Sequence, residues 1–215
     1  MIVAAINASP RTGHNTASLV REAANGARKL GAEVRYFDLY RQDRFTGCVS
    51  CFGCKLVPNE GRCICRDGLT PILDAIRDSD AIILGTPNYL GQPSAGFRAL
   101  YERIVFQNLT YQKERPRYRP AETPVLFIMI SNMQAERYEQ EPLAGMIRSC
   151  QQGLSENIGP TEVFICGHTL QVRDYSRFHW TAFDAEAKKA AYEQYFPEDL
   201  RRVRDLTSTL IHSLQ

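Results

Sequence analysis

The stretch Ile2-Val3-Ala4-Ala5-Ile6-Asn7-Ala8-Ser9-Pro10-Arg11-Thr12-Gly13-His14-Asn15-Thr16 decides the fold. Its first five residues form an unbroken apolar run with the length and composition of a strand buried on both faces. Beyond it, Leu19, Val20, Ala23, Ala24, Ala27 and Leu30 recur at helical spacing, and Gly31 supplies the left-handed residue that ends such a helix. A strand, a polar loop and a helix therefore follow one another. The loop brings backbone N–H groups and the positive end of the helix to one point, which suits a phosphate. Ser9, Arg11, Asn15 and Thr16 add hydroxyl, guanidinium and amide donors there. The loop lacks the lysine of a nucleoside triphosphate loop, and Gly13 alone does not make the Gly-x-Gly-x-x-Gly pattern of a dinucleotide site. A single terminal phosphate is the ligand this loop predicts. The competing expectation is an ordinary capped turn, with Asn15 as N-cap and Arg11 in solvent.

Outward from the loop, Glu33-Val34-Arg35-Tyr36-Phe37-Asp38-Leu39 reads as a second strand at or near a sheet edge. Residues 41–67 carry the turn formers Gly47, Gly53, Pro58, Asn59 and Gly61 and read as a structured, cysteine-rich excursion. Thr70-Pro71 opens a helix whose buried stripe is Ile72, Leu73 and Ile76. Ala81-Ile82-Ile83-Leu84-Gly85 is a third, central strand that ends in a second polar loop, residues 86–93. Ser94 can cap the next helix, with Phe97, Leu100, Tyr101 and Ile104 on one face. Residues 107–120, with Lys113, Arg115, Arg117 and Arg119, read as a solvated insertion, or else a subunit contact. Val125-Leu126-Phe127-Ile128-Met129-Ile130 is the fourth strand and opens onto Ser131-Asn132-Met133. A helix over 142–157 is stopped by Gly159-Pro160, and Glu162-Val163-Phe164-Ile165-Cys166-Gly167 is the fifth strand. The tail, 185–214, reads as helical and broken near Pro197.

Strands alternating with helices make an α/β doubly wound parallel sheet, and the phosphate loop after the first strand suggests the order 2-1-3-4-5. In such a sheet the ligand lies beyond the carboxyl ends of the strands, at the switch between the first and the third. The loops at Ser9, Pro87 and Ser131 would then face one crevice.

The 215 residues suit one domain spanning 1–215, with 41–67 as an insertion and 184–215 as a helical tail. Hydrophobic residues at 44% and charged residues at 23% are ordinary for a globular protein, and a formal charge of +2 is too small to imply nucleic acid. No apolar run approaches the length that spans a bilayer and no leader pattern opens the chain, so no membrane contact and a cytoplasmic location are expected. Five of the seven cysteines fall between Cys48 and Cys65, a crowding that suits metal or redox chemistry better than a disulfide framework. Cys150 and Cys166 fall on buried stripes and read as core residues.

Ser9-Pro10-Arg11 with Gly13, Asn15 and Thr16, followed by Gly85-Thr86-Pro87-Asn88-Tyr89 with Gly91, resembles the flavodoxin-like NAD(P)H-dependent FMN reductases, from Met1 to about Cys166. The resemblance implies a flavodoxin-like oxidoreductase that binds FMN. Ser9, Arg11, Asn15 and Thr16 would hold the phosphate, and Pro87, Asn88, Tyr89 and Gly91, with Ser131 and Asn132, would line the ring. Two departures bear on the ring: Asn88 replaces a small apolar residue, and Ser131-Asn132-Met133 lacks the family's more usual glycine. The implied partners are NAD(P)H or a protein electron donor, a small-molecule or protein acceptor, and a second or further copies of the chain as a homodimer or homotetramer.

Within that family, Cys48-x-x-Cys51-x-x-Cys54 followed by Gly61-Arg62-Cys63 resembles the iron-sulfur flavoproteins, which implies a [4Fe-4S] cluster on Cys48, Cys51, Cys54 and Cys63, with Cys65 a competing fourth ligand. Closely spaced thiolates on a glycine-containing loop can turn toward one cube of iron and sulfide. Zinc, a redox disulfide or no metal at all are the other readings of these cysteines, and a non-catalytic electron carrier is the other reading of the whole. His14 reads as a possible ligand contact. Tyr175, Phe178, His179 and Trp180 read as an aromatic anchor for the tail, or as a cap over the flavin edge.

Overall fold

The computed structural model describes residues 1–214. Its strands, in chain order, are Ile2–Asn7 (β1), Glu33–Asp38 (β2), Ala81–Tyr89 (β3), Gln92–Pro93 (β4), Val125–Ile130 (β5) and Thr161–Cys166 (β6). Its helices are Asn15–Lys29 (α1), Thr70–Arg77 (α2), Ala95–Asn108 (α3), Leu143–Asn157 (α4) and Ala185–His212 (α5). The five long strands are all parallel and run β2-β1-β3-β5-β6. With the short β4 set aside, this is the expected order 2-1-3-4-5. The sheet is flavodoxin-like, with the cysteine-rich excursion between β2 and α2.

Alternation along the strands splits the core in two. Ala4, Ile6, Ile82, Leu84, Phe127 and Met129 face Ile72, Phe97, Leu100, Ile104 and Leu154 of α2, α3 and α4. Val3, Ala5, Ile83, Leu126 and Ile128 face Leu19, Val20, Ala23, Val203 and Leu210 of α1 and α5. Gly85 governs how closely α1 approaches. A Cβ there would lie 2.3 Å from Val20 Cγ2 and 3.3 Å from Thr16 Cγ2, so the missing side chain seats the start of α1 directly on β3.

In the strands and the tail helix the structure departs from the sequence expectations in two places. The third strand does not end at Gly85 but runs to Tyr89 and turns back into β4 through Leu90 and Gly91. Asn88 makes this hairpin, because its side-chain oxygen accepts the Gly91 N–H at 2.8 Å. The tail helix is not broken at Pro197 and continues from Ala185 to His212. Pro197 and Glu193, whose carbonyl loses its partner to the ring, are both exposed, so water satisfies that carbonyl while the buried face of α5 stays on α1.

Two predictions follow from the packing. Leu90 is fully exposed and left-handed (φ 54°), beside Gly91 at φ 80°, the geometry that favours Asn-Gly in a two-residue hairpin. Leu90→Asn is expected to stabilise the protein by about 1 kcal/mol and to raise Tm by roughly 2–4 °C in calorimetry. On α5, Asp199 is buried beside the Cys166 thiol, and burial raises its carboxyl pKa against the pull of Cys166 and Arg202. The native protein therefore holds this proton more tightly than the unfolded chain. Stability contributed by the protonated form is lost as pH rises from the ordinary carboxylate value through the elevated one. Asp199→Asn is expected to flatten that fall in a series of denaturant midpoints against pH; an unchanged slope would refute the assignment.

Candidate functional site

At the carboxyl ends of β1, β3, β5 and β6 lies a crevice of about 140 Å3. It is lined by Ser9, Arg11, His14, Asn15 and Thr16 after β1; by Pro87, Asn88 and Tyr89 on β3; by Ile130, Ser131 and Asn132 at the end of β5; and by Thr169, Leu170 and Gln171 after β6. The three loops read from the sequence converge there. Gly91 lies outside the lining, at the hairpin turn.

The phosphate loop is braced from within. Asn7 donates to Asp38 at 2.8 Å and accepts the Ser9 N–H at 3.2 Å, and the Ser9 hydroxyl accepts the Arg11 N–H at 3.2 Å. The N-cap of α1 is His14, extended and making no side-chain cap bond. Asn15 is not the cap, which corrects the capped-turn expectation. It is the first helical residue, and its amide donates to the Leu170 carbonyl at 3.1 Å while accepting from Tyr192 Oη at 3.2 Å. Arg11 is not free in solvent either, since its Nη1 donates to the Gln171 carbonyl. The first N–H groups of α1 therefore end at the crevice without a side-chain acceptor, and Thr16 and Ala17 at this end are buried. Of the helices that follow the strands, α3 and α5 are capped, Ser94 accepting the Phe97 N–H at 3.2 Å and Asp184 the Glu186 and Ala187 N–H groups, whereas α2 and α4, like α1, carry no side-chain cap. His14 has its pKa lowered by burial and by the nearby Arg11 and Arg173.

On the other wall, Asn88 donates to Tyr138 Oη as well as closing the hairpin, so its amide is held in plane at the crevice. Ser131 is tied on both sides. Its N–H donates to the Cys166 carbonyl at 2.9 Å, its carbonyl accepts from the Thr169 N–H and hydroxyl at 3.1 and 2.8 Å, and its hydroxyl accepts the Met133 N–H at 3.0 Å. Lys188 of α5 donates to the Asn132 carbonyl at 3.0 Å. Residues 169–171 escaped the sequence reading. They have no motif, and their one signal is the rule that all strand-end loops of such a sheet meet. Tyr175, Phe178 and Trp180 pack with Phe183 beyond this loop, and the Tyr175 hydroxyl bonds Gln171.

The cysteine segment forms a lobe against α3. Cys48, Cys51, Cys54, Cys63 and Cys65 all line one small cavity with Arg103, Phe106 and Gln107. Ser50 (φ 53°) and Phe52 (φ 57°) are left-handed on either side of Cys51, and the Ser50 N–H points at Cys48 Sγ at 3.4 Å. Such alternating backbone makes the N–H concavities that bind anions. The Cys63 N–H is held by Gln107 Oε1 at 3.1 Å. Cys65 Sγ lies 3.9 Å from the Asp67 carboxylate, while Cys63 lies beside the Arg103 guanidinium. Among the described residues, no three Cys, His, Asp or Glu side chains converge as ligands of a single ion. Residues 111–116 and 119–120 are exposed, as a solvated insertion requires, but the segment also touches the lobe. Leu109 bridges Arg117, Tyr118 covers Gly61, and Lys55 reaches the Phe106 and Leu109 carbonyls, so the segment buttresses the lobe.

A doubly wound parallel sheet with a crevice at its switch point defines the class of α/β domains that take ligands beyond the carboxyl ends of their strands. The family model for NADPH-dependent FMN reductase matches residues 1–141, and the chain belongs to that family. An iron-sulfur flavoprotein of Methanocaldococcus jannaschii is 37% identical over 103 residues, 48% of this chain and 51% of that protein. One from Archaeoglobus fulgidus is 31% identical over 105 residues, 48% of each. The chain thus spans about half the length of the curated relatives it matches. In fold it is similar to an NAD(P)H:quinone oxidoreductase from Methanothermobacter marburgensis, with a TM-score of 0.67 at 15% identity over 98% of this chain and 96% of that one. An azoreductase from Bacillus anthracis gives 0.66 at 11% identity over 97% and 99%. No described helix is long and apolar enough to cross a membrane.

Proposed function

We propose that the chain binds FMN in the crevice and uses it to pass electrons from a reduced nicotinamide to an acceptor, with a [4Fe-4S] cluster on the cysteine lobe as relay. The observation that carries the FMN reading is the uncapped, buried N-terminus of α1 opening onto that crevice. Ser9, Arg11, Asn15 and Thr16 surround it and would hold the phosphate, with Arg11 and Asn15 oriented from behind by the 170–171 carbonyls. A crevice of about 140 Å3 encloses less than the roughly 300–1,000 Å3 of most small-molecule sites. It grips one end of FMN, and the ring would lie in the more open part against Pro87, Asn88, Tyr89, Ser131 and Asn132. Bound FMN supplies the exchange between two-electron hydride chemistry and one-electron transfer. The protein positions and shields it, and no side chain here has to move a proton. A homodimer or homotetramer would cover the exposed side of the ring.

Cys48, Cys51, Cys54 and Cys63 would hold the cluster. Thiolates spread around one cavity, with an N–H concavity at Cys51, suit the anionic cube. The space they enclose is about 20 Å3, and Val49 and Cys51 on its rim are exposed. Cys63 is preferred over Cys65 because its Gly-Arg-Cys neighbourhood carries the resemblance, while Cys65 Sγ already lies against the Asp67 carboxylate at 3.9 Å.

Loss of charge-assisted phosphate contacts costs about 1.5–3 kcal/mol each. Arg11→Ala and Thr16→Ala are therefore each expected to weaken FMN binding at least tenfold in fluorescence titration. Full retention by the double variant would refute the FMN site. For the lobe, anaerobically purified protein is expected to show broad absorbance beneath the flavin bands, with matching iron and sulfide. That absorbance should vanish in Cys51→Ser and Cys63→Ser and persist in Cys65→Ser. Persistence in Cys63→Ser with loss in Cys65→Ser would reverse the ligand assignment.

A further inference from the structure

Arg103 is the least expected residue of the cysteine lobe. It lies on α3, is 2% exposed, and is the largest fully buried side chain in the protein. Its Nη1 donates to both Asp67 oxygens at 2.7 and 2.6 Å and lies 3.4 Å from the Thr46 carbonyl. Its Nη2 donates to the Cys65 carbonyl at 2.7 Å. Its Nε has no partner, one of only two such buried side-chain atoms among the described residues. A buried donor left unpaired is costly, and folded proteins satisfy nearly all of them. Arg103 nevertheless lines the cavity shared by the five cysteines, with its guanidinium beside Cys63. The cavity it lines holds the five cysteine sulfurs, and the Gln107 Oε1 on the same wall is already taken by the Cys63 N–H.

We infer that Arg103 sets the reduction potential of the cluster: its buried guanidinium, with Nε–H available to a sulfur on the Cys63 side, favours the more negative, reduced form. This rests on the reading that Cys48, Cys51, Cys54 and Cys63 hold a [4Fe-4S] cluster. Reduction adds one electron to the cluster, and no bond forms or breaks at Arg103, which keeps its proton. Hydrogen bonds to sulfur and nearby charge are among the levers that set such potentials. Asp67 is the counterweight. Its carboxylate neutralises the guanidinium and faces the same lobe, 3.9 Å from Cys65 Sγ, so it acts on the cluster with the opposite sign. A residue that merely stapled residues 46, 65 and 67 to α3 would give no such opposition.

The test is a potentiometric titration of the anaerobically purified holoprotein, read by the electron paramagnetic resonance of the reduced cluster, with iron, sulfide and FMN quantified in every sample. In Arg103→Gln the ratio of reduced to oxidised cluster at a fixed poise is expected to fall roughly tenfold, a shift of about 59 mV to the negative side for one electron. In Asp67→Asn it is expected to move the opposite way, and Arg103→Lys should recover part of the loss. If both variants keep their iron and sulfide and the potential is unchanged, or both move in the same direction, the inference is overturned. If either variant loses its iron or fails to fold, the unmutated protein decides. Grown with arginine labelled with 15N in the side chain, its reduced cluster should show a weak 15N hyperfine coupling, and a null spectrum overturns the inference. Should the unmutated protein bind FMN but hold neither iron nor sulfide, the reading of the cysteines falls and this inference with it, while the flavin site stands.

Discussion

The structure depends on the first N–H groups of α1 being aimed, unpaired by any side chain, at the gap between β1 and β3. A helix start this deeply placed ordinarily carries a cap, because orphaned donors away from water are expensive. Here the cap position is His14, which makes no such bond, and Asn15 turns its amide to the loop after β6 instead. The geometry holds because Gly85 lets α1 rest on the sheet and because Val3, Ala5, Leu19, Val20 and Ala23 lock the two together. The proposed FMN phosphate would complete the arrangement electrostatically.

Most of the scaffold was legible in the chain because parallel strands buried on both faces leave unmistakable apolar runs, and the polar residues that follow each run must lie at one end of the sheet. The reach of β3 was less legible. Asn88 extends the strand into a hairpin through a side-chain bond to Gly91, a local alternative to a loop that no periodicity announces. Pro197 misled because its usual effect assumes a buried carbonyl, whereas on the wet face of α5 the orphaned group is simply hydrated.

The site divided in the same way. The first loop could be placed at the crevice from the strand–loop–helix pattern alone. Residues 169–171 could not, since they meet Arg11 and Asn15 across more than 150 positions of chain. Arg103 was invisible for another reason. Within α3 it reads as one more charged position, and only folding of residues 41–67 over that helix removes it from water and joins it to Asp67. The crowding of the cysteines was visible in the sequence, but not that Cys65 would stand against the Asp67 carboxylate and all five around one cavity with Arg103.

The carbonyls of Leu170 and Gln171 grip the phosphate loop from a part of the chain beyond the stretch that matches the family, residues 1–141. On the proposed FMN reading, recognition chemistry and its rear support are thus encoded in separate portions of the gene. Drift in the later portion can lengthen or shorten the cofactor's dwell time while the contacts that choose it stay untouched. Relatives that share the opening loop but diverge after β6 should therefore differ in how readily they surrender the same molecule.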